Sequence, residues 1–253
     1  GDVYKRQARF RADVGAHLEG RTATFRSEYR IRRKSGEILH MIARGVAVRD
    51  EEGTPYRMAG SQSDVTEQKR AEERLIHDAL HDALTGLPNR TLLGERLGQA
   101  LARLQRNPDI GFALAVLNLE RFRVVNESLG PGVGDDLLLA VARRLENRLR
   151  PGDTLARLGA DNFAVLLEET ATAEAARTSI EDLREAVAQP FTMNGREVFT
   201  SARIGIVLGD AGYKAVPDIL RDAELAMRRA KRDGGGKIKV FSKTLHREAV
   251  GIM

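Results

Sequence analysis

The 253-residue sequence contains no cysteine and no tryptophan, and only 5% of its residues are aromatic. The lack of cysteine excludes disulfide bonds and thiol chemistry and fits a cytoplasmic location. Because few aromatic side chains are available to stack on bases, we expect no nucleic-acid partner. No apolar run approaches the length of about 20 residues that spans a bilayer, so we expect no membrane segment in this sequence.

Charged residues, in contrast, make up 30% of the sequence, with a formal net charge of +5. Such a mixture of both signs is typical of a solvated surface, and the basic excess would also suit anionic nucleotides. Residues 1–7 carry no pattern that indicates whether they are native.

The first quarter of the chain predicts a small antiparallel sheet between two helices. Residues 24–65 alternate apolar and polar positions in three strands separated by turns. A helix is predicted over residues 66–80, with Thr66 as its N-cap, and a further helix is predicted over residues 10–18.

This stretch resembles the C-terminal half of a PAS sensor domain, and residues 60–72 resemble that family's exit into a signalling helix. The resemblance implies a partial PAS domain over residues 1–65. It also implies a linker helix over residues 66–80 that transmits the state of the sensor.

The rest of the chain alternates strands and helices, which predicts an α/β (α+β) domain with a central mixed sheet flanked by helices. The predicted strands and hairpin cover residues 112–119, 157–167, 199–208 and 237–241, and the predicted helices follow Asn89 and cover residues 135–149, 173–188 and 217–232.

Two motifs in this part carry a second resemblance. The first is the wide turn from His81 to Arg90, and the second is the tight hairpin turn Gly159-Ala160-Asp161-Asn162-Phe163. Together they resemble the GGDEF family of diguanylate cyclases, in which the second motif reads Gly-Gly-Asp-Glu-Phe. The resemblance implies a GGDEF domain over residues 81–243, with Asp82 and Arg90 as a structural ion pair. Residues 244–253 resemble a linker to an EAL phosphodiesterase domain.

The GGDEF resemblance implies that two GTP molecules are joined into cyclic di-GMP, with Mg²⁺ held by carboxylates. Here Asn118 and Asn162 stand at two of those carboxylate positions, and Asp161 is left as the residual catalytic and weak metal-binding residue. An amide is a weaker ligand and a very poor general base, so we expect Mg²⁺ binding and catalysis to be impaired. We expect Glu120 to point to the face opposite Asn118, and the Cβ of Ala160 to crowd the turn.

The same resemblance assigns Asn126 and Asp135 to guanine recognition, because an Asp beside an amide can accept the N1 and N2 hydrogens of guanine. The alternative is that Asn126 is a turn residue and Asp135 a helix cap. Further nucleotide-binding residues implied by the resemblance are Phe122, Arg123, Gly159 and Lys231, although Lys231 could simply complement a helix dipole.

A second nucleotide site is suggested by Arg150 and Asp153, which match the inhibitory Arg-x-x-Asp site for cyclic di-GMP. We therefore expect a regulatory module that binds GTP or cyclic di-GMP, forms a homodimer and acts on a downstream domain, possibly an EAL domain. The alternatives are a weakly active cyclase and a dimerisation module that binds no nucleotide.

Overall fold

The structure, a computed structural model, describes residues 2–170, 172–209, 212–232 and 237–241, without the side chains of residues 2–7 and 231–232. The chain divides into two compact units, Gly1–His77 and Asp78–Met253. Residues 244–253, for which a linker is predicted, lie outside the described residues.

The first unit is a three-stranded antiparallel sheet in the order β1-β2-β3, preceded by one helix and followed by another. Its elements are α1 (Asp2–Leu18), β1 (Phe25–Arg32), β2 (Ile38–Arg49), β3 (Pro55–Asp64) and α2 (Thr66–Leu80). The predicted sheet and both predicted helices are confirmed.

Helix α1 is attached to the sheet by aromatic contacts and by one buried histidine. Phe10 makes edge-on contacts with the rings of Phe25 and Tyr29, at centroid distances of 5.6 and 5.1 Å. His17 is 3% exposed, and its Nε2 accepts a hydrogen bond of 2.9 Å from the backbone N–H of Ala47. Because that nitrogen accepts, the ring carries its proton on Nδ1 when neutral.

The prediction that Thr66 caps α2 was wrong. The helix begins at Thr66, and the carboxylate of Asp64 accepts from the Thr66 backbone N–H at 2.9 Å. The Thr66 hydroxyl accepts instead from the backbone N–H of His40 at 2.8 Å, so it ties the helix start to strand β2.

The second unit is built on a five-stranded mixed sheet in the order β10-β9-β4-β6-β5, in which only the β9–β10 pair is parallel. This confirms the predicted mixed sheet. Its elements are α3 (Arg90–Arg106), β4 (Ala113–Glu120), α4 (Phe122–Leu129), α5 (Pro131–Glu146), β5 (Thr154–Gly159), β6 (Asn162–Leu167), α6 (Ala173–Ala188), β7 (Phe191–Met193), β8 (Arg196–Val198), β9 (Ser201–Leu208), α7 (Val216–Arg232) and β10 (Ile238–Val240).

Strand β4 lies at the centre, and its side chains alternate between two apolar cores. Leu117 and Leu119 belong to the core shared with α5 and α6, whereas Leu114 and Val116 belong to the core shared with α3 and α7. Helices therefore cover both faces of the sheet. No helix among the described residues is long and apolar enough to cross a membrane.

Three elements differ from the prediction. Helix α4 was not predicted, and α5 begins at Pro131, four residues before the predicted start. The β7–β8 hairpin was also missed, although Asn194-Gly195 between its strands is a typical two-residue turn. Both of these turn residues have positive φ, 51° and 77°, as that turn requires.

Candidate functional site

The hairpin of β5 and β6 ends in a two-residue turn. Gly159 pairs with Asn162 across the hairpin, which leaves Ala160 and Asp161 at the tip. Gly159 has a φ of 112° and Ala160 a φ of 45°. The left-handed region is unfavourable for a residue with a Cβ, so Ala160 strains a position that suits glycine.

Arg157 of β5 fixes this turn to the loop that precedes α3. Its Nη1 lies 2.8 Å from Asp82 Oδ1, and its Nη2 donates to the carbonyl of Ala160 at 2.9 Å. The predicted ion pair between Asp82 and Arg90 is therefore wrong. Arg90 instead contacts Glu224 at 2.7 Å, because it begins α3 and lies beside α7.

Asp82 is held as a carboxylate by these neighbours. Burial raises its pKa, but hydrogen bonds from Arg157 and Thr85 outweigh burial, so the pKa of Asp82 lies below its ordinary value. The loop after the linker helix and the signature turn thus share one charged, partly buried contact.

Asn118 and Asn162 lie directly opposite each other on β4 and β6. The amide nitrogen of Asn118 donates to Asn162 Oδ1 at 3.1 Å. Beside them, the backbone N–H of Leu119 donates to the carbonyl of Asp161 at 3.0 Å, so the turn and the end of β4 are also joined through the main chain.

Glu120 does not face away from Asn118, so that expectation was wrong. The two residues are two positions apart, and strand alternation places such residues on the same face. Arg203 lies opposite Asn118 on β9, and its Nη2 is 2.6 Å from Glu120 Oε1.

The Glu120 carboxylate is surrounded by donors. The Ser201 hydroxyl donates to it, and Lys237 Nζ lies 3.7 Å away. Burial raises the pKa of Glu120, but Ser201, Arg203 and Lys237 together lower it below its ordinary value. Glu120 is an engaged carboxylate, so a metal ion would have to compete with two cations for it.

The donor set at this edge does not suit the two-metal chemistry of nucleotidyl transfer. Asp161 is the single carboxylate at the three positions where the GGDEF resemblance implies carboxylates, and the other two side chains, Asn118 and Asn162, bond to each other. No group of three or more His, Cys, Asp or Glu side chains that could hold a metal ion is found in the part of the chain that the structure describes.

A second group of polar residues lies on α4 and α5. Asn126 is in α4, and its Oδ1 is buried without a hydrogen-bond partner. A methyl group added at Gly134 would lie 1.7 Å from that oxygen and 3.4 Å from the amide nitrogen. The absence of a side chain at Gly134 therefore lets the Asn126 amide lie against α5.

Asp135 follows Gly134 and is exposed, in the second turn of α5. Neither structural alternative holds, because Asn126 is a helix residue and not a turn residue, and Asp135 is four residues beyond the start of α5 and not its cap. The structure places the Asn126 amide against Gly134, and the exposed Asp135 is the next residue of α5.

The remaining predicted nucleotide residues are distributed unevenly. Phe122 packs partly buried against the larger core, and Gly159 is exposed beside the turn. Arg123 is exposed, and its Nε contacts Glu127 one helical turn later at 2.6 Å. Lys231 lies near the end of α7, and its side chain is outside the described residues.

Arg150 and Asp153 lie in the turn between α5 and β5. One Asp153 oxygen accepts from the backbone N–H of Arg150 at 3.2 Å, and the other accepts from that of Glu168 at 3.1 Å. The Arg150 side chain is exposed. Asp153 thus has a structural role in the turn, and Arg150 is the part of the pair that a ligand can reach.

Comparison with known proteins adds sequence evidence. The family described as "Diguanylate cyclase, GGDEF domain" matches residues 79–237, and the PAS fold family matches residues 5–62. The bifunctional diguanylate cyclase/cyclic di-GMP phosphodiesterase MucR of Pseudomonas aeruginosa is 39% identical over 184 residues, which cover 73% of this chain and 27% of MucR. The chain spans about a quarter of the length of the curated relatives that it matches first.

Solved structures agree with the fold. The GGDEF domain of TpbB from Pseudomonas aeruginosa superposes with a TM-score of 0.63 at 34% identity, covering 67% of this chain and 98% of that one. The diguanylate cyclase SiaD, solved with its activator SiaC from the same organism, gives a TM-score of 0.60 at 30% identity, covering 70% of this chain and 66% of that one.

Proposed function

The chain belongs to the GGDEF family of diguanylate cyclase domains, a family of cyclic di-GMP signalling, and on that premise we propose that it is a regulatory guanine-nucleotide-binding module with impaired cyclase activity. The single observation that carries this proposal is the Asn126 amide packed against Gly134, with the exposed Asp135 carboxylate as the next residue of α5. A polar site kept in place beside an altered catalytic edge is suited to binding without turnover.

Guanine fits the α4–α5 site better than adenine does. The exposed Asp135 carboxylate can accept from the N1 and N2 hydrogens of guanine, whereas adenine has neither an N1 hydrogen nor an N2 amino group. The Asn126 oxygen faces Gly134, so the amide nitrogen is the end that can donate to a ring acceptor. One donor and one carboxylate acceptor thus match the guanine edge. Phe122, Gly159 and Arg123 would line the sugar and phosphates.

Catalysis needs more than base recognition. The 3′-hydroxyl of one GTP must attack the α-phosphate of another while pyrophosphate leaves, and cations must offset the charge. At this edge Asp161 is the one free acidic position of the signature, and Glu120 is engaged by Arg203. Any Mg²⁺ would be held weakly, which is why we propose that turnover is impaired.

Cyclic di-GMP at Arg150 is a second candidate ligand, because the exposed guanidinium can reach guanine O6 and N7 as a fork. The Asp153 carboxylate is partly used by two backbone N–H groups, so we rank this site below the α4–α5 site.

The module would act within a larger signalling protein. The partial PAS domain would sense, and α2 would dimerise through its exposed Leu75 and Ile76, which are 70% and 56% exposed. The phosphodiesterase activity in the name of MucR supports an EAL domain as the downstream partner.

The test is a calorimetric titration of the 253-residue chain with GTP and with ATP, in Mg²⁺, with parallel analysis for cyclic di-GMP. We expect GTP to bind at least ten-fold tighter than ATP, and Asp135→Ala to remove most of that preference, since a lost bidentate base contact is worth about 1–3 kcal/mol. Asp136→Ala is the matched control, because Asp136 is an exposed neighbour on the same helix.

Each rival has its own result. Abundant cyclic di-GMP from the unmodified chain would favour the weakly active cyclase, and equal affinity for GTP and ATP would remove the guanine assignment. If neither GTP nor cyclic di-GMP bound, the dimerisation module would be the better description.

A further inference from the structure

The bond between Asn118 and Asn162 is more than the loss of two charges. Two carboxylates at these facing positions would repel each other unless a cation lay between them. Two amides need no cation, because one donates to the other at 3.1 Å. The pair joins the last position of β4 that pairs with β6 to the first residue of β6, directly beside the signature turn.

We propose that Asn118 and Asn162 form an amide clamp that replaces the divalent cation, so that this edge is held together, and a guanine nucleotide is bound, without metal. The part that concerns the nucleotide rests on the proposed function. The clamp itself does not.

Two neighbouring contacts support the clamp. The Leu119 N–H donates to the Asp161 carbonyl, which closes the same edge through the main chain. Glu120, the nearest other carboxylate on this face, is neutralised by Arg203 and Lys237 within 4 Å. Glu120 therefore adds no unpaired negative charge beside the clamp.

The clamp makes an unusual prediction about single and double variants. Asn162→Asp leaves the Asn118 amide donating in its present orientation, now to a carboxylate, and Asn118→Asp leaves the Asn162 amide able to donate after a half-turn of its plane. The double variant leaves two carboxylates facing each other, with Asp161 beside them. Its instability should therefore exceed the sum of the singles, and a cation should reverse it.

The measurement is thermal unfolding of the full 253-residue chain, once in EDTA and once in about 10 mM Mg²⁺. We expect the unmodified protein and both single variants to melt at the same temperature in the two buffers. The double variant should melt about 5–10 °C lower in EDTA and recover most of the loss in Mg²⁺. Asn194→Asp, an exposed turn position, controls for an added negative charge.

Leucine variants keep the test decisive if the double Asp variant does not fold in either buffer. Asn118→Leu and Asn162→Leu should each lower the melting temperature, because each leaves one amide without its partner. The double Leu variant should lose less than the two losses added together. Additive losses in the Leu series, or a Mg²⁺-dependent melting temperature of the unmodified protein, would overturn the clamp.

The nucleotide part is tested by titrating the unmodified chain with GTP in EDTA and in Mg²⁺. We expect dissociation constants within about three-fold of each other, since phosphate–metal contacts would not contribute. A dissociation constant more than ten-fold tighter in Mg²⁺ would overturn metal-free binding and leave the proposed function standing. No binding in either buffer would contradict the proposed function, while the melting data would still judge the clamp.

Discussion

Two edges of the second unit lie close in sequence and have opposite characters. At the end of β4, the polar side chains bond to one another: Asn118 to Asn162, and Glu120 to Arg203. On α4 and α5, in contrast, the Asn126 amide packs its oxygen against Gly134 and leaves its nitrogen to donate, and the Asp135 carboxylate is exposed. One edge is satisfied within the protein, and the other retains groups that a ligand could satisfy.

The difference has a physical basis. Metal-dependent transfer requires several negative charges within a few ångströms, and such a cluster is unstable when no cation is bound. Base recognition requires shape and one or two hydrogen-bonding groups, which Gly134 and Asp135 supply without charge repulsion. A chain can therefore lose the first property through two Asp/Glu-to-Asn replacements and keep the second.

The largest effect should come from breaking the contact between Arg157 and Asp82, which fixes the β5–β6 turn to the loop before α3. Arg157→Ala removes the ion-pair partner of the partly buried Asp82 and the donor to the exposed Ala160 carbonyl. We expect a loss of about 2–4 kcal/mol in the free energy of unfolding, measured by urea denaturation, because a partly buried carboxylate is left unpaired. GTP affinity at the other edge should change little.

Arg90→Ala is the matched control for this prediction. Its contact with Glu224 is largely exposed, so the expected loss is below about 1 kcal/mol. Equal losses in the two variants would contradict the pairing of Asp82 with Arg157 and revive the pairing with Arg90.

The pH dependence of the Arg157 contact has a definite sign. The pKa of Asp82 is lower in the folded chain than in the unfolded one, so the unfolded state binds the proton more tightly. The contribution of Asp82 is present above its unfolded pKa and is lost as the pH falls through its folded pKa. The loss of stability between about pH 5 and pH 2 should be smaller in Asp82→Asn than in the unmodified chain.

Sequence reasoning predicted the mixed sheet, the hairpin and the capped helix α3, because periodicity and turn residues are local signals. It did not predict the partner of Asp82, since Arg157 is 75 residues away and only tertiary structure joins them. It placed Glu120 on the wrong face of β4, since residues two positions apart in a strand share a face. The Glu120 carboxylate lies against Arg203 of the neighbouring strand β9.

Helix α4 escaped prediction for another reason. It has only eight residues, and the residue before it, Arg121, has a left-handed φ of 61°. A sequence pattern does not predict that conformation for arginine. The resemblance nevertheless selected Asn126, whose amide lies against Gly134 of α5 in the structure. The bond between Asn118 and Asn162 was not predicted, although both residues had been singled out, because the register of β4 and β6 determines it.

The next largest effect should come from a change in the α4–α5 site, which tests the same contrast at its other member. Gly134→Ala places a methyl group 1.7 Å from Asn126 Oδ1, so the amide must turn away from its position against α5. We expect GTP affinity to fall by about 10- to 100-fold, equivalent to about 1–3 kcal/mol. Melting temperature should change less, because a single side-chain amide can move.

Gly132→Ala, in the same helix, is the control for this change, since a methyl group there has no neighbour within 4 Å. It should leave GTP affinity unchanged and slightly stabilise α5. Unaltered GTP affinity in Gly134→Ala would mean that the position of Asn126 does not matter for binding. The proposal that the α4–α5 site binds a ligand through Asn126 would then be wrong.

The smallest effect should come from Ala160→Gly at the tip of the signature turn. Ala160 has a φ of 45°, which is unfavourable for alanine by about 1 kcal/mol or more and nearly free of penalty for glycine. Glycine also increases the entropy of the unfolded chain, by about 0.4–1 kcal/mol, so the net stabilisation should be only a few tenths of a kcal/mol. The melting temperature should rise by about 1–2 °C.

Glu169→Gly, at another exposed residue with a φ of 52°, should give a similar rise. GTP affinity should not change in Glu169→Gly, because Glu169 is not part of the proposed nucleotide site. A clear loss of stability in Ala160→Gly alone would show that the Ala160 methyl group makes favourable contacts, and the strain assigned to this turn would be wrong.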